Sequence, residues 1–178
     1  QTITAIAIAG IERLGKDSPV HELAQDTFLL KELFEIMKCP VSKLVACGGD
    51  GERIGKTVEI LDIGKGSASW IFGPEMKDSH DQHASAAVCD KIYVFGGAQD
   101  YEAVDAMEVM SIEENVWRIV SPAGTGRSRP GIGVVGNKMY VIGGKLRGTD
   151  FTSSCDVFDA KAGVWMPPGT VEPMPTSR

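Results

Sequence analysis

The chain has 178 residues, 43% of them hydrophobic and 24% charged, with a net charge of -6, an ordinary profile for one soluble globular domain. That acidity argues against a phosphate-binding surface spread over the whole domain, leaving at most a local basic rim. Only 7% of the residues are aromatic while 21 are glycine and 9 proline, so the chain must turn often.

The first nine residues, QTITAIAIA, are apolar but too short to span a bilayer and lack a basic flank, so they read as neither a signal peptide nor a membrane helix. Asp17-Ser18-Pro19 offers a helix start and Pro40 a stop, with Val20, Leu23, Thr27, Leu30, Phe34 and Met37 on one helical face. The four cysteines, Cys39, Cys47, Cys89 and Cys155, are far apart with no CxxC pair. They read as buried reduced thiols rather than zinc ligands or nucleophiles, which fits a soluble, cytoplasmic protein.

From Lys43 onward the sequence repeats. Glycine pairs stand at Gly48-Gly49, Gly96-Gly97 and Gly143-Gly144, tryptophans at Trp70, Trp117 and Trp165, and acidic residues at Glu59, Glu108 and Asp156. All three markers recur at intervals of 47 to 49 residues, a period that belongs to a repeat architecture. Within each period the elements follow one order. An alternating strand (Ala84–Cys89, or Ile132 to Val135 a repeat later) reaches a short turn at Cys89-Asp90-Lys91 or Gly136-Asn137-Lys138. Next comes a run apolar on both faces, such as Ile92-Tyr93-Val94-Phe95, which suits a strand packed between two layers. The glycine pair and a variable polar loop follow. A third strand then opens on the carboxylate, and a fourth carries the tryptophan.

An apolar run, Gly-Gly, an acidic residue opening strand three and a tryptophan on strand four together resemble the kelch repeat family, strongly from about Val41 to Arg178. The resemblance implies an all-β fold, a partial kelch β-propeller of three four-stranded blades across residues 43–178. Residues 1–42 are then a degenerate or truncated blade, with Ile6–Gly10 as its second strand and Leu30 replacing the tryptophan, or else a helical linker over about residues 19–38. The blade is the favoured alternative, and a continuous helix across 20–37 would contradict it. Three blades do not close a ring, since propellers take ~4–8, so the expected form is an open arc with an unprotected edge. The start at Gln1 and the stop at Pro-Thr-Ser-Arg178 read as an excerpt from a longer protein.

Two motifs fail their structural context. Gly131-Ile132-Gly133-Val134-Val135-Gly136 spells a dinucleotide fingerprint but leads into a strand rather than a helix N-terminus. His80 and His83 have metal-ligand spacing but lie between strands with no third ligand evident. Recognition therefore falls to loops on the scaffold. By resemblance to the kelch-like adaptors, the blade entrances and the loops after the glycines grip a protein ligand. Arg129 carries that role most directly, with Arg127, Gln82, His83 and Arg178 at comparable places. Asp100, Tyr101 and Arg147 lie in the loops after the glycines. An arginine fork suits a partner's carboxylate.

The resemblance implies a non-enzymatic protein-binding module without a cofactor, and with no nucleic-acid or membrane partner. Its nearest kelch-like type is the substrate-selecting part of a BTB-kelch adaptor, with cullin-3 reached through a BTB domain outside this stretch. Alternatives are an actin-binding kelch protein, or a kelch-fold enzyme of the sialic acid epimerase or copper oxidase type.

Overall fold

A computed structural model of the chain describes residues 43–49, 55–62, 69–99, 102–120, 125–148 and 150–178. The expected helix or degenerate blade within residues 1–42 lies outside these, as do Cys39, Asp100 and Tyr101. Everything described is strand or connection. The strands are β1 (Lys43–Cys47), β2 (Val58–Asp62), β3 (Trp70–Phe72), β4 (Ala84–Val88), β5 (Lys91–Phe95), β6 (Ala98–Gln99), β7 (Glu102–Ala103), β8 (Met107–Ser111), β9 (Val116–Val120), β10 (Gly131–Val135), β11 (Lys138–Ile142), β12 (Cys155–Asp159) and β13 (Val164–Trp165).

Three antiparallel sheets follow one another along the chain, ordered β1-β2-β3, β4-β5-β8-β9 and β10-β11-β12-β13. They are the blades of a partial β-propeller. The second and third have the four strands expected of them. The first shows three among the described residues. A two-stranded ribbon, β6-β7, is built from the loop after Gly96-Gly97.

The apolar second strand of each blade works as its pattern implies. Successive side chains on a strand point to opposite faces, so β5 serves two junctions at once. Ile92 and Val94 join Val45, Val58, Ile60, Met110 and Trp117 between the first and second blades. Tyr93 and Phe95 join Met107, Met139, Val141 and Phe158 between the second and third. The core is therefore a series of inter-blade layers.

The tryptophans wedge these layers unevenly. Trp117 is 2% exposed and its indole N–H donates to the Pro74 carbonyl at 2.9 Å. Trp165 packs on Phe95 and Phe158 with ring centroids 5.4 and 5.2 Å away. Trp70, on the side of the first blade away from the second, is 48% exposed.

Cysteine placement differs from expectation in one case. Cys47 and Cys155 are half-buried, and burial pushes the Cys47 thiol up to about 12. Cys89 is instead exposed, because β4 ends at Val88 and Cys89 takes the first turn position with φ of 56°. Gly136 fills the same place one blade later, at φ 59°; glycine accepts that conformation without steric cost.

Candidate binding rim and the links beneath it

The entrances of the second and third blades each lie against the loop that follows the same blade's glycine pair. Ala98 donates its amide to the Asp81 carbonyl at 2.8 Å, and Lys145 and Ser128 exchange backbone bonds at 2.8 and 2.9 Å. Entrance and loop, predicted separately, thus form one edge of the propeller.

Neighbouring blades are stitched along this edge by side chains. Arg129 Nε donates to Gln82 Oε1 at 3.0 Å, while the Arg129 amide donates to the Gln82 carbonyl at 2.6 Å. Further out, Arg147 Nε donates to Glu102 Oε2 at 2.9 Å. Both members of that pair are well exposed, so it contributes little to stability, of order 0–1 kcal/mol. Gln82 and Arg129 have φ of 53° and 55°, a left-handed conformation uncommon for residues other than glycine, asparagine or aspartate. The two residues thus take the same conformation at equivalent places in consecutive blades.

The exposed members of this rim are Glu102, Arg129 and Arg147, with Gln82 half-buried beside Arg129, joined by Phe151, which is 50% exposed next to Lys145. Arg129 uses only Nε on Gln82, so among the described residues its two terminal amino groups are uncommitted and face solvent. The rim is therefore a mixed-charge surface with one exposed aromatic side chain, Phe151, among the described residues.

Two residues grouped with this face by sequence, Arg127 and His83, are buried beneath it, and a third, Arg178, is exposed but holds a different place in the repeat. Arg127 is 1% exposed. Its Nη1 donates to the carbonyls of Gly143 and Ser154 at 3.2 and 3.0 Å, and its Nη2 to Ser154 Oγ and the Asp156 carboxylate. His83 is 5% exposed, with Nδ1 3.2 Å from the His80 carbonyl and its ring edge-on to His80. Burial, with the neighbouring His80 charge, lowers its pKa to about 4. Arg178 does not match Arg129. Its carbonyl accepts the Gly144 amide at 2.9 Å, as the Arg127 carbonyl accepts Gly97 and the His80 carbonyl accepts Gly49. Arg178 therefore stands in the series His80, Arg127, Arg178.

That series links the blades. Fully buried His80 places Nδ1 2.9 Å from the Gly96 carbonyl and Nε2 3.2 Å from Glu108 Oε1. Both ring nitrogens thus have a polar partner within the buried junction. Glu108 also accepts the amides of Lys77 and Asp78, each at 2.8 Å. Burial alone would raise its carboxyl, but these hydrogen bonds and the His80 charge outweigh that and hold it below the usual carboxylate range. Arg127 repeats the arrangement one blade on, with Gly143 for Gly96 and Asp156 for Glu108. The acidic residue opening the third strand of the second and third blades is thus the acceptor of an inter-blade link, a role its spacing alone did not disclose.

A separate open cleft of about 470 Å³ lies between β3 and the turn after β8, lined by Lys43, Ile71, Phe72 and Glu113 among others. Among the described residues no three His, Cys, Asp or Glu side chains converge as metal ligands, and no helix is long and apolar enough to cross a membrane.

Residues 79–124 and residues 126–170 each match a family profile described as the Kelch motif. The chain is 28% identical over 141 residues to the human Rab9 effector protein with kelch motifs, covering 74% of this chain and 37% of that one. It is 28% identical over 103 residues to mouse Kelch-like protein 36, covering 54% and 17%. An F-box/kelch-repeat protein of Arabidopsis thaliana is 33% identical over 82 residues, covering 46% and 20%. The chain thus spans well under two thirds of each relative's length. The solved structure of YjhT superposes with a TM-score of 0.62 at 19% identity, covering 70% of this chain and 47% of that one, a likeness of fold.

Proposed function

This chain belongs to the kelch repeat family, and from that premise we propose that it is a protein-binding module. Its working surface is the rim of entrances and post-glycine loops, and its ligand is an acidic segment of a partner protein. The observation that carries this reading is Arg129. Its backbone is held in a left-handed conformation and its Nε is fixed by Gln82, which aims the remaining guanidinium donors outward. Preorganised Arg suits carboxylate recognition, because the fork forms two parallel bonds at little entropic cost. Arg147 and Phe151 supply a second cation and an apolar anchor, residue types that serve interface hot spots and their surroundings. By sequence, Asp100 and Tyr101 fall in the loop after Gly96-Gly97, beside Glu102, and belong to the proposed rim.

A binding role is preferred to catalysis because the buried acid–base pair, His80 and Glu108, is sealed from solvent and already used in joining blades. The human relative is by name an effector of Rab9, another protein, which fits partner recognition. Resemblance to Kelch-like protein 36 supports the narrower reading of a substrate-selecting propeller in a BTB-kelch cullin-3 adaptor acting in the cytoplasm. Affinity capture with the wild-type chain and with Arg129→Ala tests the rim: partner recovery should fall about tenfold, the size expected for one charge-assisted contact. Unchanged recovery would remove Arg129 from the binding face. Co-precipitation of cullin-3 with the full-length protein tests the adaptor role separately.

A further inference from the structure

The two exposed arginines of the rim are held by the same geometry but not against the same charge. Both come from the third blade, and both donate Nε across the second–third junction. Arg129 donates to Gln82 Oε1 at 3.0 Å and Arg147 to Glu102 Oε2 at 2.9 Å. One anchor is a neutral amide and the other a carboxylate. Arg147 is therefore ion-paired within the chain, whereas Arg129 has no acidic partner among the described residues.

The neutral anchor is itself held by Asp81. Gln82 Nε2 donates to Asp81 Oδ2 at 3.1 Å. An ionised carboxylate only accepts, so it selects the amino end of the Gln82 amide and turns Oε1 toward Arg129. Asp81 is tied to its own blade, since its carbonyl accepts the Ala98 amide at 2.8 Å. The Arg129 amide also donates to the Gln82 carbonyl at 2.6 Å, so main chain and side chain fix the pair together. Asp81, Gln82 and Arg129 form a relay in which the negative charge stands one side chain away from the guanidinium. That separation weakens its pull on Arg129.

We propose that Glu102 is an internal stand-in for a carboxylate of the partner, while the Asp81–Gln82 relay keeps Arg129 open. This rests on the reading of the rim as the face for an acidic segment. Such a segment engages Arg129 first and reaches Arg147 only by displacing Glu102. The exchange is cheap, because an ion pair exposed to water contributes little. Asp81 and Gln82 are positioning residues that act on the ligand through Arg129. Glu102 sets selectivity: one acidic side chain is served by Arg129, and a second must compete with Glu102 for its cation.

Fluorescence anisotropy of the full chain with a fluorescein-labelled hexaglutamate peptide at low ionic strength tests this, using substitutions that change charge but hardly shape. Gln82→Glu places a carboxylate directly on Arg129 and should weaken binding about tenfold, the size of one charge-assisted contact. Glu102→Gln frees Arg147 and should tighten binding about threefold, in keeping with the small worth of an exposed pair. None of the three side chains is buried in the core, and circular dichroism checks that each variant keeps its fold. If Arg129→Ala weakens binding while neither swap changes it, or if Glu102→Gln weakens it, the proposal is overturned and the rim reading stands. If the wild-type chain does not bind the peptide, or Arg129→Ala binds as tightly as wild type, the rim reading falls and the proposal with it.

Discussion

His80 and Glu108 lie 3.2 Å apart, both without solvent exposure, at the boundary of the first two blades. The pair is the counterpart of Arg127 and Asp156 at the next boundary. A propeller whose blades are joined only by apolar layers can slide; a buried ion pair at one register fixes the stacking of each blade on the next.

Removing one partner of such a pair leaves a buried charge without compensation. Glu108→Ala also strips the acceptor from the Lys77 and Asp78 amides. The expected loss is about 3–5 kcal/mol in urea unfolding, with a similar loss for His80→Ala. His80→Arg, which copies the next junction, should retain most of the stability. Equal losses for His80→Ala and His80→Arg would refute the equivalence of the two links.

Acid should loosen the propeller before it protonates surface carboxylates. His83 has its folded pKa lowered from 6.5 to about 4 by burial. As pH falls through that window, the unfolded chain takes up a proton that the folded chain refuses, so stability drops, by up to about 3 kcal/mol. Glu108, held below the usual carboxylate range, has the same sign. Its contribution is present above its unfolded pKa and is lost as pH falls below it. Melting temperatures across this range should fall with pH, and His83→Leu should flatten the upper part of the profile. A His83→Leu profile parallel to wild type would remove His83 as the cause.

Gly96 is among the described glycines least able to accept a side chain. It has φ of 68°, and a Cβ would collide with the Arg127 carbonyl oxygen. Gly96→Ala should therefore cost several kcal/mol by combining left-handed strain with displacement of the linked entrance. Gly133→Ala serves as the control, since nothing lies within 4 Å of the Cβ there. Thermal melts of the two variants should differ widely.

Trp117 separates packing from hydrogen bonding. Trp117→Phe keeps an aromatic wedge and loses the bond to the half-buried Pro74 carbonyl, an expected cost of about 1 kcal/mol. Trp117→Ala empties the layer between the first two blades and should cost about 3–5 kcal/mol. Chemical denaturation that ranks the two equally would contradict the wedge.

The blades were legible because they rest on local and periodic constraints. Gly96-Gly97 and Trp117 recur in register, and Ile92–Phe95 is apolar on both faces. The linking residues were not legible. Arg127 and Arg129 are two apart and would share a face in a regular strand, yet one is buried and the other exposed. The left-handed φ at Arg129 breaks the alternation, and an arginine gives no local sign of it. Nor does Arg127 announce Asp156, 29 residues along the chain, because their meeting depends on stacking one blade on the next. Arg178 was grouped with Arg129 for want of that same register, which the backbone bond to Gly144 supplies.

The rim's role as the binding face is tested most directly by amide hydrogen exchange of the chain with and without a captured partner protein. Protection should concentrate at Asp81–Gln82, Arg129 and Lys145–Gly148, and should be lost when Arg129→Ala is used. Protection confined to the outer strands β3 and β9, with the rim unchanged, would contradict the account.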